Sequence, residues 1–365
     1  MCAKILVPLS NYNEILPLIS SGADEFYCGF LPNDFSTKKN KLNCYYNCER
    51  ANFTSIEVLK DSVNLIHLNN KKIYVVLNFP NINDQQLDNI KALVKTLLDI
   101  KIDAFIIADI GLIIFLNNYF PDIKIHSSTI TGAFNHLSIQ FLKELNVKRI
   151  VLPDHLNKKE IIDLSTSTKN TVMEIFVLNN RCKNIESFCS FEHIGKPNKK
   201  HFFKININSL FQKFLLKYVP QNIIKRFLRT NLVEKLIPYE HLNPCKFKYK
   251  VSPYGLGNTS KYKAIINRIE NSFGIYSTFV KMNRCGACCI YSALINNLNI
   301  FKIEGRFNPI EKKIKDVKFI KSCINNFDTK INEMDFIKKC QTVYFLTYKN
   351  KCNISKCYYP ELWKI

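Results

Sequence analysis

The stretch that decides the fold is Lys72-Ile73-Tyr74-Val75-Val76-Leu77-Asn78-Phe79, together with the two segments that follow it. This nearly continuous apolar run is typical of a strand that is covered on both faces of a parallel sheet. Residues 84–94 then place apolar side chains three and four positions apart, which predicts a helix with one buried stripe. Residues 104–109 form a second apolar run. This order predicts a βαβ unit with a right-handed crossover.

The same alternation continues through the first half of the chain. Helix-period segments with short connections separate the apolar runs, and residues 136–145 are a clear example. With Phe301-Lys302-Ile303-Glu304-Gly305 as an eighth strand, the pattern favours a closed barrel over an open sheet. We therefore predict an α/β fold, a TIM-like (β/α) barrel, whose first seven strands lie in residues 4–9, 25–29, 72–79, 104–109, 123–129, 148–153 and 173–178.

Length and net charge limit the number of domains and the kinds of binding partner. The chain has 365 residues, of which 47% are hydrophobic, and a formal net charge of +22. One barrel of about 250 residues with insertions accommodates this length. A basic surface favours polyanions such as RNA or anionic lipid, although the abundance of Asn, Ile and Lys is also typical of an AT-biased genome.

The sequence predicts no membrane span. The best apolar run, residues 104–116, contains Asp109 and is shorter than the roughly 20 residues that cross a bilayer. The N-terminal segment is typical of a strand rather than of a signal peptide. We therefore expect a cytoplasmic protein.

Residues 196–240 break the alternation of strands and helices. They are rich in Lys and Arg, and their apolar residues are spaced for amphipathic helices. This basic helical segment could be a solvated cap, an RNA- or partner-binding arm, or a membrane-surface helix. The predicted division is a barrel with a cysteine site over residues 1–195 and 241–307, a basic helical insertion at 196–240 and a C-terminal extension at 308–365.

Fourteen cysteines in a cytoplasmic protein indicate ligands or catalytic groups more than disulfides. Cys182 and Cys189 follow the run at 173–178, at the end of a strand where a barrel places its chemistry. The run Cys285-Gly286-Ala287-Cys288-Cys289 is a second candidate, because a Cys-x-x-Cys turn can present two thiolates to one metal. Zinc and iron–sulfur clusters both accept such ligands. Simple packing is the alternative, above all for Cys44, Cys48, Cys352 and Cys357.

Charged residues near the end of the chain's eighth strand form another candidate site. Lys302, Glu304 and Arg306 alternate, so that on a strand all three side chains would share one face. Charges aimed into a barrel mouth must pair or bind a ligand, because burying them is costly. Together with His126, for which a structural role is the alternative, they are the candidate catalytic residues. No Ser/His/Asp pattern or His-Glu-x-x-His motif supports a protease mechanism.

Five sequence blocks occur in a fixed order within residues 4–306. They resemble the blocks of the collagenase-like peptidase family U-32, whose last block is a Lys-Ile-Glu-Gly-Arg signature. Several members of that family are oxygen-independent hydroxylases with an iron–sulfur cluster, which act on tRNA, ribosomal RNA or the ubiquinone ring. The blocks are Ser21-Gly22-Ala23-Asp24-Glu25-Phe26-Tyr27-Cys28-Gly29, Ala51-Asn52-Phe53-Thr54, Val75-Val76-Leu77-Asn78, Ile125-His126-Ser127-Ser128-Thr129 and Phe301-Lys302-Ile303-Glu304-Gly305-Arg306.

The resemblance also implies a set of cluster ligands. Three are Cys182, Cys189 and Cys245, and His241 stands where the family pattern has a further cysteine. We expect a 4Fe-4S cluster, with zinc as the alternative. We prefer Cys288 as the fourth ligand, because its run precedes the strand that carries the signature. The other candidates for that position are His241, Cys285 and Cys289.

Three classes of function remain open. The resemblance favours an iron–sulfur enzyme that modifies RNA or a small aromatic substrate by oxygen-independent hydroxylation or a related reaction, with a possible partner subunit or electron donor. The second class is a peptidase that acts on collagen-like or other peptides. The third is a non-catalytic RNA- or protein-binding partner subunit with a structural metal site.

Overall fold

The computed structural model describes residues 3–31, 51–79, 82–168, 170–179 and 284–364. The chain divides into two compact units, and the described residues all belong to the unit formed by 1–188 and 283–365. The predicted basic insertion at 196–240 lies outside the described residues. The predicted domain boundaries therefore stay a prediction.

Eight parallel strands close into a barrel, which confirms the predicted TIM-like fold. The described residues contain these eight strands and the short β3: β1 (Lys4–Pro8), β2 (Glu25–Phe30), β3 (Asn52–Phe53), β4 (Lys72–Val76), β5 (Ala104–Ile107), β6 (Ile125–Ser127), β7 (Arg149–Val151), β8 (Met173–Leu178) and β9 (Ile300–Ile303). β1 pairs with both β2 and β9, which closes the sheet on itself in the order β1, β2, β4, β5, β6, β7, β8, β9. The two-residue β3 adds to the end of β2.

Helices surround the barrel and connect its strands. They are α1 (Ile15–Ser21), α2 (Ile56–Leu68), α3 (Asp84–Asp99), α4 (Ile110–Tyr119), α5 (His136–Glu144), α6 (Lys158–Ser167), α7 (Ile290–Ile295), α8 (Ile310–Asn325) and α9 (Glu333–Tyr348). Asn83 and Asn157 begin α3 and α6 with capping boxes, which satisfy backbone N–H groups at the helix start. The first helix of the predicted C-terminal extension, α8, packs against α1 and β1. None of the helices described has the length and apolar character needed to cross a membrane.

The strands divide the buried side chains between two regions, because successive residues of a strand point to opposite faces. On β2, Phe26 and Cys28 join the large apolar core that also contains the helix residues. Tyr27 belongs instead to a separate small cluster within the barrel. Its other buried members are Leu6, Tyr74, Ala104 and Ile106.

A network of buried charges occupies the barrel beside this small cluster. Arg149 Nη1 lies 2.6 Å from Glu25 Oε2 and 3.3 Å from Glu174 Oε2. Lys302 Nζ donates a hydrogen bond to Glu174 Oε1 at 2.9 Å. The network therefore joins β2, β7, β8 and β9. Arg149 and Lys302 balance its two carboxylates in the interior, and the more exposed Lys4 adds a contact to Glu25 Oε1 at 3.3 Å.

The carboxyl group of Glu25 is ionised within this network. Burial by itself would raise its pKa, but the hydrogen bond and charge of Arg149, with a further contribution from Lys4, bring the pKa below its usual value. Ionised groups in a barrel are stable only while they remain paired, because each charge has lost most of its hydration. Removing one partner should therefore cost far more than removing an exposed ion pair.

Arg149→Met should lower the free energy of unfolding by about 3–5 kcal/mol, because it leaves Glu25 buried without its main partner. The control is Lys338→Met, which removes an exposed ion pair to Asp335 within α9 and should cost less than about 1 kcal/mol. Urea unfolding of both variants measures the difference. Equal losses in the two variants would contradict the structural role of the network.

Candidate functional site

The carboxyl ends of the strands form one mouth of the barrel, where proteins of this architecture place their chemistry. Loops that follow the strands supply polar side chains to this mouth. Ser10 follows β1, Asn78 follows β4, Ser128 follows β6 and Asn179 follows β8. Arg306 lies on the turn after β9, and Asn52 lies on β3.

Arg306 is held against the end of β2. Its Nη1 donates a hydrogen bond to Asn52 Oδ1 at 2.9 Å, and its backbone carbonyl accepts a hydrogen bond from Ser10. Asn52 pairs directly with Gly29 in the sheet. A Cβ atom on Gly29 would lie 1.9 Å from Asn52 Oδ1 and 2.3 Å from Arg306 Nη1. The absence of a side chain at Gly29 is therefore what admits the guanidinium group to this place.

The signature residues that were predicted to share one face lie in different places. The strand ends one residue after Lys302, and Gly305 turns the chain with a left-handed φ of 107°. Lys302 points into the buried charge network, whereas Arg306 lies at the mouth. Between them, the backbone N–H of Glu304 donates to the carbonyl of Leu178 at 3.1 Å. The alternating charged residues thus continue past the end of β9, and Glu304 and Arg306 do not belong to the strand.

His126 lies on β6 and is almost fully buried. Its ring meets that of Tyr74 edge to face, with 4.6 Å between the centroids. Burial, and then the positive charges of Arg149, Lys302 and Lys72, hold the pKa of His126 well below its usual value. The ring is therefore neutral near pH 7. Its buried Nδ1 has no hydrogen-bond partner among the described residues, so that it can offer a hydrogen bond to a bound molecule.

Asn78 and Ser128 connect the loops after β4 and β6. Asn78 Nδ2 donates to Ser128 Oγ at 2.9 Å, and the backbone N–H of Ser128 donates to the carbonyl of Ile107 at 2.8 Å. These bonds fix an amide and a hydroxyl group on the side of the mouth that carries His126. Both residues belong to blocks that the sequence analysis quoted, but neither was predicted as a site residue.

Ser10, which is hydrogen-bonded to the backbone of Arg306, is also in contact with Lys313. Lys313 Nζ lies 2.6 Å from Ser10 Oγ and 2.8 and 2.9 Å from the two carboxylate oxygens of Glu14. Lys313 is thus an ion-pair partner, and the hydroxyl proton of Ser10 is donated to the carbonyl of Arg306. This arrangement supports the turn that carries Arg306, and it does not present Ser10 as an activated nucleophile.

The predicted cluster ligands fall into two groups. Cys285 lies beside the end of β8, where it forms an isolated antiparallel β-bridge with Leu178. Cys288 and Cys289 lie in a short 3-10 turn that leads into α7. Across the described ranges, no three His, Cys, Asp or Glu side chains already stand together as ligands of one metal ion. Outside the described residues lie Cys182, Cys189, Cys245 and His241, and also Cys44 and Cys48.

The fold and the mouth define a TIM-like barrel protein with its polar groups at the carboxyl ends of the strands. The sequence model of peptidase family U32 matches residues 10–200, which is more than half of the chain. The chain belongs to this family.

Characterised relatives are similar to only part of this chain. It is 29% identical over 197 residues to "tRNA hydroxylation protein P" of Haemophilus influenzae, a match that covers 54% of this chain and 40% of that protein. It is 30% identical over 200 residues to the protein of the same name from Helicobacter pylori, with 54% and 44% covered. A 23S rRNA 5-hydroxycytidine synthase of Escherichia coli is 27% identical over 190 residues, with 52% and 26% covered. The chain spans less than half the length of these relatives.

Gly29→Ala should displace Arg306 and Asn52 and lower the free energy of unfolding by about 1–3 kcal/mol, as expected for an added methyl group without space. Gly111→Ala is the matched control, because Gly111 lies in the first turn of α4 and its Cβ would meet only Asp109 Oδ1 at 3.2 Å. Because alanine is more stable than glycine in a helix, Gly111→Ala should raise the free energy of unfolding by up to about 1 kcal/mol. Chemical denaturation compares the two, and a Gly29→Ala variant as stable as the control would contradict the close approach of Arg306.

Proposed function

We propose that this chain hydroxylates RNA at the carboxyl-end mouth of its barrel. The observation that carries this proposal is the similarity of residues within the barrel to proteins named for tRNA hydroxylation and for rRNA hydroxycytidine synthesis. The net charge of +22 supports a polyanionic substrate. An RNA substrate also agrees with the cytoplasmic location that the sequence predicts.

The polar groups of the mouth suit a nucleotide, whereas the barrel interior holds the paired charges of the network. Arg306 supplies positive charge and a planar set of N–H donors, which suit a phosphate group or a small anionic oxygen donor. The neutral ring of His126 and the amide of Asn78 offer hydrogen bonds to the polar edge of a base. Lys302 and Glu174 neutralise each other inside the barrel. Lys302 therefore stabilises the site and does not contact the substrate.

Hydroxylation replaces a C–H bond by a C–OH bond and removes two electrons from the substrate. We propose that the oxygen atom comes from an organic oxygen donor in place of O2, and that this donor is reduced by the same two electrons as its bond to the transferred oxygen breaks. The residues implied by the family resemblance for an iron–sulfur cluster are Cys182, Cys189 and Cys245, and a thiolate donor set suits such a cluster better than a hard cation. The cluster, when bound, would supply electron transfer. A partner subunit or electron donor stays a prediction.

The test uses a bacterial host that lacks its own RNA hydroxylation proteins and grows without oxygen. Expression of the full chain should produce, in tRNA or rRNA, a nucleoside heavier by one oxygen atom, detected by mass spectrometry of digested RNA. Arg306→Gln should reduce its amount about ten- to hundredfold, because a charge-assisted contact is lost. Lys338→Gln, on the exposed face of α9, should have no effect.

Two results would contradict the proposal at different levels. RNA that matches the empty-vector control, despite folded and iron-loaded protein, would exclude RNA hydroxylation as the activity. A normal yield of the modified nucleoside from Arg306→Gln would leave the activity in place but remove Arg306 from the site.

A further inference from the structure

A group of thiols near the C-terminal tail is separate from the residues used so far. The described ranges contain eight free cysteines, and seven of them lie between residues 285 and 357. The eighth, Cys28, is buried in the barrel wall on β2. The seven come from three parts of the chain: the run that precedes α7, the helices α8 and α9, and the tail that follows α9.

The backbone holds two of these thiols side by side. Cys285 and Cys357 form a parallel bridge, in which the N–H of Cys285 donates to the carbonyl of Lys356 at 2.8 Å. The N–H of Tyr358 donates to the carbonyl of Cys285 at 3.0 Å. Cys288 follows in the next turn, and Cys352 precedes the bridge by five residues. Two short cysteine pairs, Cys-x-x-Cys and Cys-x4-Cys, are thereby brought together.

All four thiols are mutual neighbours. Each is close enough to the other three for the charge of one thiolate to raise the pKa of another. For Cys285, Cys288 and Cys352 burial is the largest cause of the raised pKa, and it brings the pKa of Cys352 to about 11. Cys288 and Cys352 also pack against the core that contains Cys285 and Cys357.

The surroundings already contain groups that favour thiolates. The backbone N–H of Ala287 donates to the sulfur of Cys285, and that of Asn353 donates to the sulfur of Cys352. The positive charge of Lys356 also lowers the pKa of Cys352. Such contacts stabilise the charged form of a ligand and orient it toward a metal.

We propose that Cys285, Cys288, Cys352 and Cys357 form a tetrathiolate Zn²⁺ site that ties the C-terminal tail to the end of β8. Two closely spaced cysteine pairs from separate segments are the usual ligands of structural zinc, which is tetrahedral and closed. The sulfurs do not yet stand in ligand geometry, so that binding requires them to turn toward a common centre and to release protons. Four protein ligands leave no open position, and the role is structural.

Cys289 is the matched control within the same run. Its sulfur is hydrogen-bonded to the hydroxyl of Tyr359, and the charges that act on it most strongly are those of Lys158 and Glu333. It is fully buried like Cys285 but does not belong to the group of four. If Cys288 and Cys285 bind zinc, neither is the fourth ligand beside Cys182, Cys189 and Cys245, and the candidates that remain for that position are His241 and Cys289.

The test is zinc analysis of the purified full chain by atomic emission and native mass spectrometry. The wild-type protein should hold about one Zn²⁺ beyond any iron, and Cys352→Ser and Cys357→Ser should each lose most of it. Cys289→Ala and Cys28→Ala should keep it. Cys352→His should also keep it, because three thiolates and one imidazole form an accepted zinc site. This variant separates loss of a ligand from loss of the fold.

The outcomes also separate this site from the proposed function. Cys182→Ser should lose iron and RNA hydroxylation yet retain zinc, whereas Cys352→Ser should lose zinc and retain iron. Full zinc content in both serine variants would overturn the proposal. A disulfide between Cys285 and Cys357, or iron and sulfide that disappear with Cys357→Ser in place of zinc, would overturn it as well.

Discussion

The buried contact of Arg149 with Glu25 and Glu174 is the interaction on which the rest of the structure depends. It crosses the barrel from β7 to β2 and joins β8 directly, and Lys302 extends it to β9. Strands that are far apart in the closed sheet are thereby connected through its interior. Such a network favours one arrangement of the strands, because a displaced strand would leave a charge buried without a partner.

The same network determines where chemistry can take place. It fills the barrel with paired charges, so that the unused polar groups lie at the carboxyl ends of the strands. There the close approach permitted by Gly29 holds Arg306 on Asn52, and burial together with the nearby cations Arg149 and Lys302 keeps the pKa of His126 well below its usual value. The position of the basic group at the mouth thus depends on the space at Gly29, whereas the neutral ring of His126 depends on burial and on the charges of the network.

The sequence predicts the barrel well, because apolar runs and helical stripes are local signals. It does not predict the charge network, since Arg149 and Glu25 are separated by 124 positions and meet only when the barrel closes. Glu25 and Glu174 were visible as charged residues inside apolar runs, which is a usable sign of an interior partner. The sequence places Lys302 at the mouth because its partner Glu174 is 128 positions away, and alternation does not reveal that the strand ends before Glu304 and Arg306. For Cys352 and Cys357 the sequence favours simple packing, because the bridge that brings Cys357 to Cys285 is non-local.

A double-mutant cycle on Glu25 and Arg149 tests the central role of this contact most directly. Glu25→Gln, Arg149→Met and the double variant are compared by urea unfolding. If the pair is a coupled buried contact, the double variant should lose less stability than the sum of the two single losses, by about 1–3 kcal/mol. Losses that add within about 0.5 kcal/mol would show two independent side chains and would contradict the network.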